Sequence, residues 1–212
     1  MVVIPGVEGA DIESVKAQYE KVKNLNPDGW IHLDITDGKF SPAVNWGSPG
    51  EVKKLNVKGK KFEIHLMVED PETVLEDWLK TGVVKRIVVH LEAMSDPVFI
   101  VAECKKYGVE PMLAIKPDTE VERLFTHKGG FMAFQVLAVA PGWPGQKFGE
   151  EALKKIAWIR EKIPNAIKEI DGGIKPETAR KCFEAGANLL VSTSYIQNSQ
   201  DPLAAYRELM NN

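Results

Sequence analysis

Short apolar runs alternate with amphipathic stretches along the whole chain. The runs at about 2–5, 30–35, 61–67, 86–91, 111–116, 134–139, 167–171 and 188–193 are too short for ordinary helices and read as buried strands. Between them, apolar positions recur at helical spacing over about 12–25, 72–80, 96–107, 119–125, 150–162, 176–186 and 201–210. Helix starts are marked by Asp70 before Pro71, by Ser95-Asp96-Pro97 and by Lys175 before Pro176, because proline is tolerated in a first turn. Gly108 and Gly186 mark helix ends. The connection after the second strand is irregular, with Pro42, Gly47, Pro49 and Gly50, and predicts one short helix near 49–54.

Strands that alternate with helices predict an α/β chain with a parallel sheet. Eight of them predict closure into a (β/α)8 TIM barrel, in preference to an open doubly wound sheet. No Pro/Gly/Ser-rich linker interrupts the chain, so residues 1–212 are expected to form a single domain.

In such a barrel the chemistry sits at the C-terminal ends of the strands. Three of the four histidines occupy that place, in Ile31-His32-Leu33-Asp34, Ile64-His65-Leu66-Met67 and Val89-His90-Leu91-Glu92. Side chains alternate faces along a strand, so His32 and Asp34 share one face. Asp171 ends the seventh strand, just before Gly172-Gly173. If the strands close, His32, Asp34, His65 and Asp171 converge near the mouth. Two imidazoles with two carboxylates suit one divalent ion of the zinc, manganese, iron or cobalt kind. Three glycine- or hydroxyl-bearing loops follow the last strands: Val139 to Gln146, Asp171-Gly172-Gly173, and Ser192-Thr193-Ser194. Loops of that kind let backbone N–H groups approach an anion, and this is the usual phosphate corner of a barrel. Gly142, Trp143, Pro144, Gly145, Gly172, Gly173, Thr193 and Ser194 are therefore candidate phosphate-side residues.

Other features carry less. His90 with Glu92 fits a cavity lining and a structural pair equally well, and His127 lies in a polar stretch expected to be solvated. Trp30, Trp78 and Trp158 fit helix–strand packing, while Trp46 and Trp143 sit in loops over the expected mouth. The acidic runs near 69–77 and 118–122 read as solvated helix faces. A net charge of −3 gives no reason to expect nucleic acid or an anionic membrane as partner. No apolar stretch approaches the roughly 20 residues of a membrane helix, and the N-terminus does not read as a signal peptide, so the cytoplasm is the expected location. Cys104 and Cys182 lack CxxC spacing and fall in predicted helices, so buried packing is expected of both. A homo-oligomer is compatible with this composition.

Together the segments resemble the ribulose-phosphate 3-epimerase family. Trp30 to Gly38 is similar to its second-strand signature and His65-Leu66-Met67-Val68 to its third. His90-Leu91-Glu92-Ala93 and Ala114-Ile115-Lys116-Pro117 match its fourth and fifth strands. Pro141 to Phe148, and Asp171-Gly172-Gly173-Ile174-Lys175-Pro176, match its phosphate-side loops. The resemblance implies a divalent metal on His32, Asp34, His65 and Asp171, with Asp34 and Asp171 as the acid–base pair. It implies a small sugar phosphate as substrate, with ribulose 5-phosphate and xylulose 5-phosphate interconverting. Inverting carbon 3 of a 2-ketose takes one proton from one face and returns one to the other, which two opposed carboxylates can do. A metal that polarises the carbonyl stabilises the enediolate between.

The chain departs from the family pattern at several places. Pro5-Gly6, with Val7 and Glu8, stands where the family usually has Pro-Ser in a more apolar setting. Thr36 and Leu137 replace two of the methionines that usually crowd the metal, leaving Met67. Pro144-Gly145 replaces paired glycines, and Thr193-Ser194 replaces Gly-Ser. These departures fall in the shells expected to touch sugar and phosphate. They make an epimerase of a related sugar phosphate, such as allulose 6-phosphate, one alternative, and a non-catalytic sugar-phosphate-binding barrel another. Similar barrels that act as decarboxylases or aldol-type synthases use Asp-x-Lys-x-x-Asp, and Asp34-Ile35-Thr36 lacks that lysine.

Overall fold

A computed structural model describes residues 2–55, 57–127, 129–143 and 145–211; Pro144 and the side chain of His127 lie outside the described part. Among the described residues, eight strands form one closed parallel barrel in chain order. They are β1 (Val2–Val7), β2 (Trp30–Thr36), β3 (Lys61–Met67), β4 (Val84–His90), β5 (Glu110–Ile115), β6 (Ala133–Leu137), β7 (Ile167–Asp171) and β8 (Leu189–Ser192). The surrounding helices are α1 (Ile12–Val22), α2 (Pro71–Leu79), α3 (Pro97–Lys106), α4 (Arg123–His127), α5 (Glu151–Lys162), α6 (Pro176–Ala185), α7 (Ser194–Gln197) and α8 (Pro202–Met210). The expected (β/α)8 TIM barrel is therefore the observed fold. No described helix is long and apolar enough to cross a membrane.

The period-two alternation of each strand splits its side chains between two cores. Outward-facing residues such as Val3, Val7, Ile31, Leu33, Ile64, Leu66, Ile87 and Val89 join the large apolar layer under the helices. The opposite face points into the barrel. Its lower part holds a small apolar plug of Val88, Met112, Ala114 and Ala133, with Ile167 and Leu189 against it. Buried polar side chains, among them His32, Glu63, His65, Arg86, His90, Gln135 and Glu169, share the rest of the lumen with Ile4, Met67, Leu137 and Val191.

Helix boundaries follow the local chemistry. Asp11, Asp96 and Asp201 accept backbone N–H groups at the starts of α1, α3 and α8. Gly186 ends α6 in the left-handed conformation, at φ 112°. The short helix expected near 49–54 is a 3-10 turn at Val52–Lys54. The helix expected at 119–125 begins later, at Arg123. Thr119 donates through Oγ1 to Glu92, and the Lys155 ammonium donates to the carbonyls of Lys116, Pro117 and Thr119. Those bonds hold 116–119 as a loop across the end of β5. Cys104 and Cys182 are both buried and free, as expected. Trp78 is buried in the helix–strand layer and Trp158 packs against it. Trp30 instead stacks with cations, the Arg86 guanidinium lying 4.6 Å from its ring centroid.

Candidate active site

The parallel registers bring the strand ends level. Asp34 pairs with His65 across β2 and β3, and Leu137 with Asp171 across β6 and β7. Across the lumen, His32, Asp34, His65 and Asp171 each offer one ligand atom, all within 4.8 Å of one another. Asp34 Oδ1 lies 3.1 Å from His32 Nε2 and 2.9 Å from His65 Nδ1. Asp171 Oδ2 lies 3.9 and 3.6 Å from the same two nitrogens. The edges of a tetrahedron with ligand bonds of about 2.1 Å are ~3.4 Å long, so the donor set fits one four-coordinate divalent ion.

Burial and charge set the protonation of these groups. Burial works against the His32 imidazolium, but Asp34 and Glu63 outweigh it and raise its pKa well above the ordinary value. Burial would raise Asp34 too, yet the two histidines outweigh that and hold it below the usual carboxylate range. Asp171 goes the other way: burial, then the charge of Asp34, push it up to about 6. Burial lowers the pKa of His65 and of His90.

A polar scaffold that the sequence reading did not single out lies beneath this tetrad. His32 Nδ1 donates to Glu63 Oε1 at 2.6 Å, and Arg86 Nη1 donates to Glu63 Oε2 at 2.6 Å. Arg86 Nε donates to Glu110 at 2.6 Å, and Gln135 Nε2 donates to Glu169 Oε1 at 2.9 Å. Burial, then the charge of Glu63, raise the pKa of Glu169 well above the ordinary value. His32, Glu63 and Glu169 also come within metal-ligand distance of one another, but the Arg86 guanidinium already supplies the positive charge there. A carboxylate on the far nitrogen of a ligating histidine fixes its tautomer and ring orientation. The usable signal was position: Glu63 stands two residues before His65, and Glu169 two before Asp171, on the same strand faces. His90 belongs to a structural relay. Its Nε2 lies 2.9 Å from His65 Nε2, and its Nδ1 lies 3.2 Å from Glu92.

Beside the tetrad opens a cavity of about 540 Å³, counting its open mouth. Asp34, Met67 and Asp171 line its floor end. Gly142, Trp143, Gly145, Gly172, Gly173, Thr193 and Ser194 line it as well. Of the predicted site residues, His32 and His65 are buried in the tetrad beside the cavity, Pro144 lies outside the described residues, and all the others line the cavity. Gly172 and Gly173 turn at φ 103° and 67°. A Cβ on Gly173 would meet the Phe148 backbone at 2.9 Å, so the loop needs glycine there on both counts. The N–H groups of Gly172, Gly173 and Ser194 donate to no backbone carbonyl among the described residues. The Gln146 amide bonds the carbonyls of Ala140 and Trp143, both at 2.7 Å, and shapes the opposite wall. Trp143 is 59% exposed at the rim. Trp46 is not part of the cavity: its Nε1 donates to Glu51 and its ring packs on the core.

One further fit shapes the wall between β1 and β8. Gly6 does not have a positive φ, so its backbone does not require glycine. A Cβ there would lie 1.9 Å from Thr193 Oγ1. The threonine side chain occupies the space that a residue at position 6 would otherwise fill.

A closed (β/α)8 barrel with a buried His/carboxylate tetrad at its C-terminal mouth, beside a glycine-lined cavity, has the layout of a barrel enzyme. Comparison with known proteins is more specific. The model of the ribulose-phosphate 3-epimerase family matches residues 2–197. The chain is 34% identical over 199 residues to a ribulose-phosphate 3-epimerase of Chlamydia pneumoniae, covering 91% of this chain and 86% of that one. It is 30% identical over 220 residues to one of Candida glabrata, covering 95% and 87%. Among solved structures, a 3-hexulose-6-phosphate synthase superposes with a TM-score of 0.73 at 17% identity, covering 100% of this chain and 99% of that one, a likeness of fold alone. The chain belongs to the ribulose-phosphate 3-epimerase family and is an isomerase of the epimerase type.

Proposed function

We propose that this protein inverts carbon 3 of D-ribulose 5-phosphate to give D-xylulose 5-phosphate. In this reading Asp34 and Asp171 are the two proton carriers, and His32, Asp34, His65 and Asp171 hold one divalent ion. The observation that carries it is the opposed state of the two aspartates. They stand on β2 and β7, on different sides of the lumen, one held below the usual carboxylate range and the other pushed up to about 6. A pair with pKa values driven apart offers one base and one acid at the same pH.

Asp34 removes the carbon 3 proton in the ribulose-to-xylulose direction, an assignment that rests on the family resemblance. Asp171 then delivers a proton to the opposite face, and the roles exchange in the reverse direction. The electron pair released at carbon 3 moves into the adjacent carbonyl. A bound divalent ion supplies Lewis-acid polarisation of that oxygen. Glu63 keeps the His32 ring turned so that Nε2 faces the tetrad, and His90 does the same for Nδ1 of His65. The N–H groups of Gly172, Gly173 and Ser194, which donate to no backbone carbonyl among the described residues, suit the phosphate, and remote phosphate binding helps to orient the reacting carbon. The absence of a lysine at position 36 separates this site from the Asp-x-Lys-x-x-Asp decarboxylases and synthases.

Proton NMR in heavy water with a panel of ketose phosphates tests the reading. Deuterium at carbon 3 of ribulose 5-phosphate, with xylulose 5-phosphate appearing, is the expected result. No exchange at carbon 3 of any ketose phosphate, with zinc, manganese, iron or cobalt supplied in turn, overturns it.

A further inference from the structure

The described lining of the substrate cavity contains three charged side chains, Asp34, Asp171 and Glu8, and the mechanism uses only the first two. Glu8 follows directly on β1. Val3 and Val7 face the helices, so Ile4, Gly6 and Glu8 fall on the lumen side of the same chain. Gly6 pairs with His32 and Val7 with Leu33, so the next step sets Glu8 level with Asp34.

Apart from the neighbouring Asn45 amide, no described side chain gives the Glu8 carboxylate a close polar partner. The main chain of Glu8 is already fixed, since its N–H donates to Gln18 Oε1 at 3.2 Å. No cation among the described residues pairs with it. The Asn45 amide lies beside it and draws its pKa down, but Asn45 Nδ2 is buried without a well-aligned acceptor. Burial, then the charge of Asp34, push Glu8 up to about 7. A half-buried carboxylate without a counter-ion is unfavourable unless donors reach it. The same cavity is lined by apolar side chains at Met67, Leu137 and Val191, so the protein itself supplies few.

The order around the barrel indicates what does. The anion corner of Gly172, Gly173 and Ser194 follows β7 and β8. Glu8 follows β1, and Asp34 is on β2. A substrate with its phosphate at that corner and its reacting carbon at the aspartates runs past Glu8 with the carbons between. A carboxylate repels the phosphate but accepts a hydroxyl proton well.

We propose that Glu8 is a specificity-determining, substrate-contacting residue, its carboxylate accepting a hydrogen bond from the hydroxyl carried between the inverted carbon and the phosphate. For a pentulose 5-phosphate this is the hydroxyl on carbon 4. The inference rests on the proposed epimerase reading and deepens it. Glu8 then selects polyol phosphates over deoxy ones, a discrimination that the two aspartates and the phosphate loops do not make.

The test compares D-ribulose 5-phosphate with its 4-deoxy analogue on wild type, Glu8→Gln and Glu8→Leu. A charge-assisted hydrogen bond removed on binding changes affinity by about tenfold or more. KM for ribulose 5-phosphate is therefore expected to rise at least about tenfold in Glu8→Leu and less in Glu8→Gln, while KM for the 4-deoxy analogue stays near the wild-type value. A merely structural role would move both substrates together. Glu8→Gln, nearly isosteric, serves if Glu8→Leu does not fold. Equal changes for both substrates, or no change for either, overturn the inference and leave the epimerase reading standing. A wild-type enzyme that epimerises no ketose phosphate overturns both.

Discussion

Replacing Glu63 by alanine perturbs the candidate site without touching any of its four ligand groups. Glu63 is fully buried, and its two oxygens accept from His32 Nδ1 and Arg86 Nη1, each at 2.6 Å. Deletion leaves Arg86 with Glu110, which is partly exposed, and with Glu169 at 3.8 Å, whose ionisation burial still opposes once the charge of Glu63 is gone. Breaking a buried pair from one side costs about 3–5 kcal/mol. For a chain of this length that is a fall in Tm of roughly 10 °C. His32 also loses the carboxylate that orients it, which should weaken metal binding by about 10–100-fold. Thermal melts with excess chelator measure the first effect, and a calorimetric zinc titration the second. Glu63→Gln keeps the volume and one acceptor, so its Tm should fall less while zinc affinity still drops. Zinc affinity within twofold of wild type in Glu63→Ala would show that His32 does not depend on Glu63. An unchanged Tm would show that the buried arginine needs no second carboxylate.

Asp34→Asn and Asp171→Asn should each abolish net epimerisation, while metal-loaded variants still exchange the carbon 3 proton of one epimer each; a single variant that interconverts the epimers at near wild-type rate refutes the two-carboxylate mechanism. Free ribulose should show kcat/KM lower than ribulose 5-phosphate by roughly a hundredfold or more, the worth of two charge-assisted hydrogen bonds, and equal efficiency would remove the phosphate corner from the argument. The proton on Asp171 is held more tightly in the folded than in the unfolded chain, because its folded pKa is raised from 3.8 to about 6. That contribution to stability is complete below about pH 4 and is lost as pH rises through about 6. Urea midpoints of the chelated protein between pH 4 and 7 should therefore decline more steeply in wild type than in Asp171→Asn, and parallel curves would contradict the assigned shift.

The barrel was legible because its determinants are local and repeated. An apolar run, a capping residue and an amphipathic stretch say strand and helix wherever they occur. The tetrad was legible for a related reason: His32 with Asp34, His65 and Asp171 interrupt apolar strands where a barrel keeps its chemistry. Glu63 and Glu169 interrupt β3 and β7 two residues before His65 and Asp171, and Arg86 and Gln135 interrupt β4 and β6, but each finds its partner on a different strand. A lone polar residue in a strand does not say which register will satisfy it. Residues 119–122 misled for a similar reason. Their helical pattern is real, but it gives way to the bond Thr119 donates to Glu92 and the one its carbonyl accepts from Lys155, which lies far along the chain. Trp46 and Trp143 looked alike as loop residues, and only the fold separates the one at the rim from the one held by Glu51.

The interlock of Gly6 with Thr193 couples two positions that lie at opposite ends of the chain. With threonine at 193, any side chain at position 6 begins 1.9 Å from its hydroxyl oxygen. With glycine at 6, a smaller residue at 193 only leaves a void. The two orders of substitution are therefore unequal. A path on which position 193 enlarges first passes through a clash, whereas one on which position 6 shrinks first passes through a tolerable cavity. Mutational tolerance at either site is conditional on the other. A scan that changes one position at a time will score Gly6 as restricted, although the restriction belongs to the pair.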